Sequence, residues 1–189
     1  MFPLLRLIAL FLLAASASAP AAAAVELSFY SKELGTSFPH AFVTVHGTID
    51  RNNQRVDADY GFSAKTISPA ILFGKVSGEV ISDHGAAYIK GSDRHFSLRL
   101  DDAQFDRVMA VVDRWRKLAQ PSYDLNRQNC VHFVAMIAEA IGMKADTTRL
   151  MKKPRSFLAA LTEANRSWLA ARSAQLPGSR GQSVRAARP

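Results

Sequence analysis

Apolar residues alternate with polar ones through the first half of the chain and recur every three or four residues through the second. Val25 to Tyr30 alternates well enough for a strand. His40 to Ile49 is the clearest strand, with Ala41, Val43, Val45 and Ile49 on one face and His40, Phe42, Thr44 and His46 on the other. Asp50-Arg51-Asn52-Asn53 is turn chemistry, and Arg55 to Ser63 returns as a second strand. A turn at this place sets Ile49 opposite Gln54, Val45 opposite Ala58, Val43 opposite Tyr60 and Ala41 opposite Phe62. All apolar pairs then fall on one side, and a one-residue slip destroys that arrangement. On the other side His40 faces Ser63, Thr44 faces Asp59 and His46 faces Asp57.

Further strands are expected at Val76 to Ser82 and Phe96 to Leu100. A short helical turn is expected within Ile67 to Gly74, while Ala86 to Ile89 is not assigned. After Asp101-Asp102 the period changes. Phe105, Val108, Met109, Val112, Trp115 and Leu118 make one face of a helix over Ala103 to Leu118, with acids in its first turn. A second helix runs from about Asn129 to Ile141 and stops at Gly142. A last helix spans about Pro154 to Arg172. Strands first and helices afterwards predict an α+β fold, an antiparallel sheet packed against helices.

The ends alter the count of domains. Arg6, the apolar run Leu7 to Leu13 and the small residues Ala14 to Ala24 have the layout of a secretory signal, with a cut expected after Ala24. This predicts a signal peptide over 1–24, one domain over 25–172, and a basic, disordered tail over 173–189. It also predicts a periplasmic or secreted product. The net charge of +8 is a property of the ends. Residues 166–189 hold Arg166, Arg172, Arg180, Arg185 and Arg188 and no acid; without these and Arg6 the body carries 18 basic against 16 acidic residues. No aromatic residue lies in the last 20, so base stacking and specific nucleic-acid binding are not expected. Weak contact of the tail with an anionic polymer or membrane is compatible with its charge.

Cys130 is the one cysteine of the chain, so no internal disulfide forms. It stands where a loop feeds a helix, and amides of a first helical turn favour a thiolate. It also lies on the apolar stripe of that helix, which suits a packed thiol equally well. If the sulfur is a nucleophile, His40, at the start of a strand, is the preferred general base. His46 has Asp57 across the ladder as a surface partner, His132 points away from Cys130, and His84 and His95 sit in or beside loops with no supporting pattern. There is no CxxC, HExxH, Gly-rich phosphate loop or GxSxG, so neither a metal nor another cofactor is expected.

The run Tyr123-Asp124-Leu125-Asn126-Arg127-Gln128-Asn129-Cys130-Val131-His132-Phe133-Val134 resembles the cysteine motif of the lecithin:retinol acyltransferase-like proteins. These are circularly permuted relatives of papain and of the NlpC-type cell-wall peptidases. The motif there reads Tyr-x-Leu, a short gap, then Asn-Cys-Glu-His-Phe-Val, and the histidine comes earlier in the chain at the start of a hairpin strand. The resemblance implies a permuted papain-like fold with Cys130 as nucleophile and His40 as base. It implies an exported thiol hydrolase or acyltransferase acting on a peptide, cell-wall or acyl-lipid substrate. Two positions depart from the pattern. Val131 replaces the acidic residue, and Asn52 stands where a second histidine is usual. Ser63, opposite His40 in register, is then the candidate third member. The missing orienting group also leaves room for a non-catalytic binding module on the same scaffold.

Overall fold

The computed structural model describes residues 25–33 and 38–174. The expected leader, and the expected tail from residue 175 on, lie outside the described residues. Five strands, β1 (Val25–Lys32), β2 (His40–Thr48), β3 (Arg55–Ala64), β4 (Gly78–Ile81) and β5 (Asp93–Leu100), form one antiparallel sheet in the order β4-β3-β2-β1-β5. The helices are α1 (Ala86–Lys90), α2 (Asp102–Arg116), α3 (Cys130–Ala140), α4 (Pro154–Ala164) and α5 (Arg166–Ala174). A 3-10 turn over Pro69–Leu72 precedes β4. The fold is α+β, as the periodicities require. The unassigned stretch at Ala86 is the short helix α1.

Period-two alternation sorts the strands onto two faces. Leu27 and Phe29 of β1, Ala41, Val43 and Val45 of β2, Tyr60 and Phe62 of β3, and Leu98 and Leu100 of β5 are buried in one core with the helices. Helix α3 is buried nearly all round, as its almost wholly apolar composition demands. Trp115 of α2 is the wedge between sheet and α3. Its ring meets Phe62 edge-on at 4.7 Å and Phe133 at 5.3 Å.

The hairpin has the register that its pattern predicts: Val43↔Tyr60, Thr44↔Asp59, Val45↔Ala58, His46↔Asp57 and Gly47↔Val56, with Ile49 N–H donating to Gln54 O at 2.9 Å. The ladder stops at Val43. The expected outer pairs Ala41/Phe62 and His40/Ser63 are therefore not ladder pairs, and over Gly61–Ala64 β3 pairs with β4 along its other edge. Of the two acids opening α2, Asp101 caps the helix reciprocally with Gln104. Asp102 instead clamps the hairpin turn, accepting from the Asp50 and Arg51 backbone N–H groups at 2.9 and 2.8 Å.

The expected last helix is two helices. Asn165, buried between α4 and α5, accepts from Lys144 N–H at 2.9 Å and donates to Lys144 O and Leu161 O at 2.9 and 2.8 Å. A side-chain amide that bonds a preceding-turn carbonyl and a distant loop competes with the helix ladder, and the chain breaks there. Asn165→Ala removes the partner of the Lys144 N–H and C=O and leaves a void at a buried position. It is expected to cost about 2–3 kcal/mol, read as a melting temperature lower by roughly 5–10 °C. An unchanged melting temperature would remove Asn165 from the determinants of this corner.

Candidate functional site

The N-terminus of α3 is built by Asn129. Its Oδ1 accepts from Val131 N–H at 2.8 Å and His132 N–H at 3.2 Å, the reciprocal cap being completed by His132 Nδ1. Its Nδ2 donates to Leu125 O at 2.8 Å and Met151 O at 2.7 Å. One side chain therefore ties the preceding loop, the loop before α4 and the helix start into a single unit, with Cys130 as the first helical residue. The upstream motif residues make the tight turn that delivers Asn129: Asp124 and Gln128 exchange backbone bonds at 2.9 and 2.8 Å, and the Asp124 carboxylate accepts from Asn126 and Arg127 N–H. His132 serves the cap.

Cys130 is 5% exposed. Where the β2–β3 ladder has parted, the Ala41 N–H reaches its sulfur, as do the N–H groups of Val131 and of Cys130 itself. These donors favour a thiolate, but burial outweighs them and the thiol is pushed up to about 11. Tyr88 and Tyr123 stand close enough to feel the sulfur. Burial first and Cys130 second raise both phenols, Tyr88 to about 12.

His40 is the residue before Ala41 and borders the same cavity as Cys130. Its ring turns toward Phe42, with which it stacks at 6.2 Å. Burial, and then the neighbouring His84, push its pKa down to about 3, so it rests as neutral imidazole. Its Nε2 is buried with no hydrogen-bond partner. Among the described residues no hydrogen bond joins the ring to the Cys130 sulfur. Glycine is required beneath it: a Cβ at Gly61 would overlap His40 Nε2 and come within 3.0 Å of His84 Cε1.

His84 is the residue that the sequence pattern missed. Its ring centroid lies 5.3 Å from that of His40, tilted by 42°. Its Nδ1 bonds the Asp59 carboxylate, and its backbone N–H lies 3.2 Å from both Asp59 oxygens. Both side chains are almost wholly buried, and His84 Nε2, like that of His40, has no partner. Phe42 and Tyr88 flank the ring at 4.9 and 5.1 Å. The signal available beforehand was Asp59, which alternation places on the same face as His40. Asp59 lies two rungs along the hairpin from His40, and the loop carrying His84 closes the gap.

Ser63 lines the cavity with His40 and, among the described residues, makes no hydrogen bond to it. His46 pairs with Asp57 on the surface at 3.3 Å, and His95 meets Ser31 Oγ at 2.9 Å. Among the described residues no group of three His, Cys, Asp or Glu side chains is placed to hold a metal ion. The cavity measures about 350 Å³. Cys130, His40, Ser63 and His84 supply its polar atoms together with Asn129 and Lys152, and its walls are mainly apolar: Phe38, Ile67, Ile71, Ile81, Leu125 and Met151, with Tyr88 and Tyr123.

No protein-family model matches the chain, and no curated protein or solved structure matches it.

Proposed function

We propose that the chain is an exported thiol hydrolase or acyltransferase of the permuted papain-like class, with Cys130 as nucleophile and His40 as general base. The observation that carries this reading is the shared cavity: a helix-start cysteine whose sulfur accepts the Ala41 N–H, beside the imidazole of the preceding residue. The Cys130 sulfur pair forms a bond to the carbonyl carbon of an ester or amide as the thiol proton passes to His40. The carbonyl oxygen takes the charge, with the Cys130 and Ala41 N–H groups as its nearest backbone donors. Collapse of the intermediate breaks the bond to the alcohol or amine, which leaves with the proton from His40. Water or another acceptor then clears the thioester.

A thiol near 11 and an imidazole near 3 are neutral partners at pH 7. The proton therefore moves with the attack, through a turn of the ring or one bridging water. His84, held by Asp59, is the positioning group in this reading, in the part that Ser63 was expected to fill. The mainly apolar walls favour an acyl chain over a cell-wall peptide.

The test is intact-mass analysis after incubation with medium-chain nitrophenyl esters and, separately, with a peptide amide. An acyl adduct on the Cys130 peptide is expected with the ester, absent from Cys130→Ala and formed about 10²–10³-fold more slowly by His40→Gln. A second reading, a binding module on the same scaffold, is favoured by the neutral state of both groups and by the lack, among the described residues, of a hydrogen bond between sulfur and ring. It predicts no adduct and equal retention of the acyl ligand by wild type and Cys130→Ala, the result that overturns the enzymatic reading.

A further inference from the structure

Large apolar side chains exposed to solvent are not scattered over the described surface. Phe38, Ile67, Leu72 and Phe73 are 45, 52, 60 and 87% exposed. Phe38 and Ile67 line the mouth of the Cys130 cavity, and Leu72 and Phe73 sit beside Ile71, which lines it too. Such concentration at one mouth marks a contact surface. The segment bearing three of them runs from Lys65 to Lys75 and contains no acid. Lys152, on the cavity wall, and Lys153 beside it add two more exposed cations. None of these four lysines forms an ion pair among the described residues. The tip is a 3-10 turn whose Ile71 and Phe73 N–H groups are bonded internally, to Ser68 O at 3.2 Å and Ala70 O at 3.0 Å. Backbone already satisfied in this way can leave water at low cost.

We infer that the Lys65–Lys75 segment docks on an anionic lipid surface, with Leu72 and Phe73 entering the interfacial layer and the flanking lysines meeting the headgroups. An apolar tip with cations at its base suits that boundary and suits a charged aqueous polymer poorly. Docking sets the cavity mouth against the bilayer, so an acyl chain can pass from lipid to the walls around Cys130. Only this last consequence rests on Cys130 being a nucleophile; docking itself does not.

The apolar N-terminal run and the basic C-terminal residues are the same in wild type and variants, so a difference between them reads the tip, and a probe at position 73 reads it directly. Phe73→Trp is mixed with vesicles of phosphatidylglycerol and phosphatidylethanolamine brominated along the acyl chains. The added indole emission, taken as the difference from wild type, is expected to fall about twofold or more, equally in a Cys130→Ala background. Partition of Leu72→Ser/Phe73→Ser onto the same vesicles is expected to weaken by about tenfold or more. Unquenched emission from vesicle-bound protein, or unchanged partition of the double variant, overturns the proposal. So does dimerisation in lipid-free buffer that the double variant abolishes, which assigns the patch to a second copy of the chain. Docking intact with no acyl adduct on Cys130 sinks the nucleophile and leaves the surface assignment standing.

Discussion

Between pH 6.5 and pH 3 the wild-type fold is expected to lose as much as about 5 kcal/mol of stability through His40 alone. In the unfolded chain this imidazole takes up its proton near 6.5; in the fold burial, and secondarily His84, hold it neutral down to about 3. Across that window the unfolded state binds the extra proton, so unfolding is favoured progressively as pH falls. The stabilisation is fully present above the unfolded value. The groups facing the ring are His84 with Asp59 behind it, Phe42 on its own strand and Gly61 on β3. None of them offers its Nε2 an acceptor, and a proton there remains uncompensated. Cys130 gives the mirror image. Its thiol is raised from 9 to about 11, so the folded state keeps a proton that the unfolded state releases. Stability then declines from pH 9 to 11 by about 3 kcal/mol. Urea unfolding across pH, with His40→Gln and Cys130→Ser as references, isolates each limb from the other titrating groups. His40→Gln should flatten the acid limb and Cys130→Ser the alkaline one. Profiles parallel to wild type would mean that neither group is buried as described.

Those two titrations also mark what a sequence can and cannot disclose about this chain. The face of each strand was legible because alternation is local: Ala41, Val43 and Val45 differ from His40, Phe42 and Thr44 by parity alone. Hairpin register followed from the turn at Asp50–Asn53 and the single side on which apolar pairs accumulate. The site was legible in its local half. Asn129 and Cys130 could be set at a helix start from composition, and His40 at a strand start. The other half depends on closure of a loop. His84 belongs to no periodic element, and nothing near it in sequence says that Asp59, 25 residues earlier, is its partner. The charge states of Cys130 and His40 were equally out of reach. A helix N-terminus argues for a thiolate, but burial is a property of everything packed around the sulfur, and here burial prevails. Asn165 is the same lesson in the fold. Apolar spacing runs through it unbroken, and only the distant Lys144 loop makes its amide a breaker.

Asp59→Ala should be the most damaging single change around the cavity, costing roughly 3–4 kcal/mol. Asp59 serves two donors of His84, the backbone N–H and Nδ1, where water does not reach. Removing the carboxylate leaves both unmet, beside a His84 Nε2 that already lacks a partner. Asp59→Asn separates structure from chemistry. Its amide oxygen still accepts one of those bonds, so the loss should be about 1 kcal/mol. It cannot, however, serve as the acceptor-only partner that holds the His84 ring by Nδ1 in one orientation beside His40. If the His84–Asp59 pair positions the base, acylation of Cys130 in Asp59→Asn should slow by about 10–100-fold while the melting temperature stays near that of wild type. A merely structural pair would show the reverse split, with stability lost in Asp59→Ala and acylation by the folded Asp59→Asn protein undiminished. His84→Gln closes the comparison, because it removes the ring and keeps an amide donor for Asp59. Acylation by Asp59→Asn and His84→Gln should then fall by similar factors, and the double variant should be no slower than either alone, since both act through one imidazole.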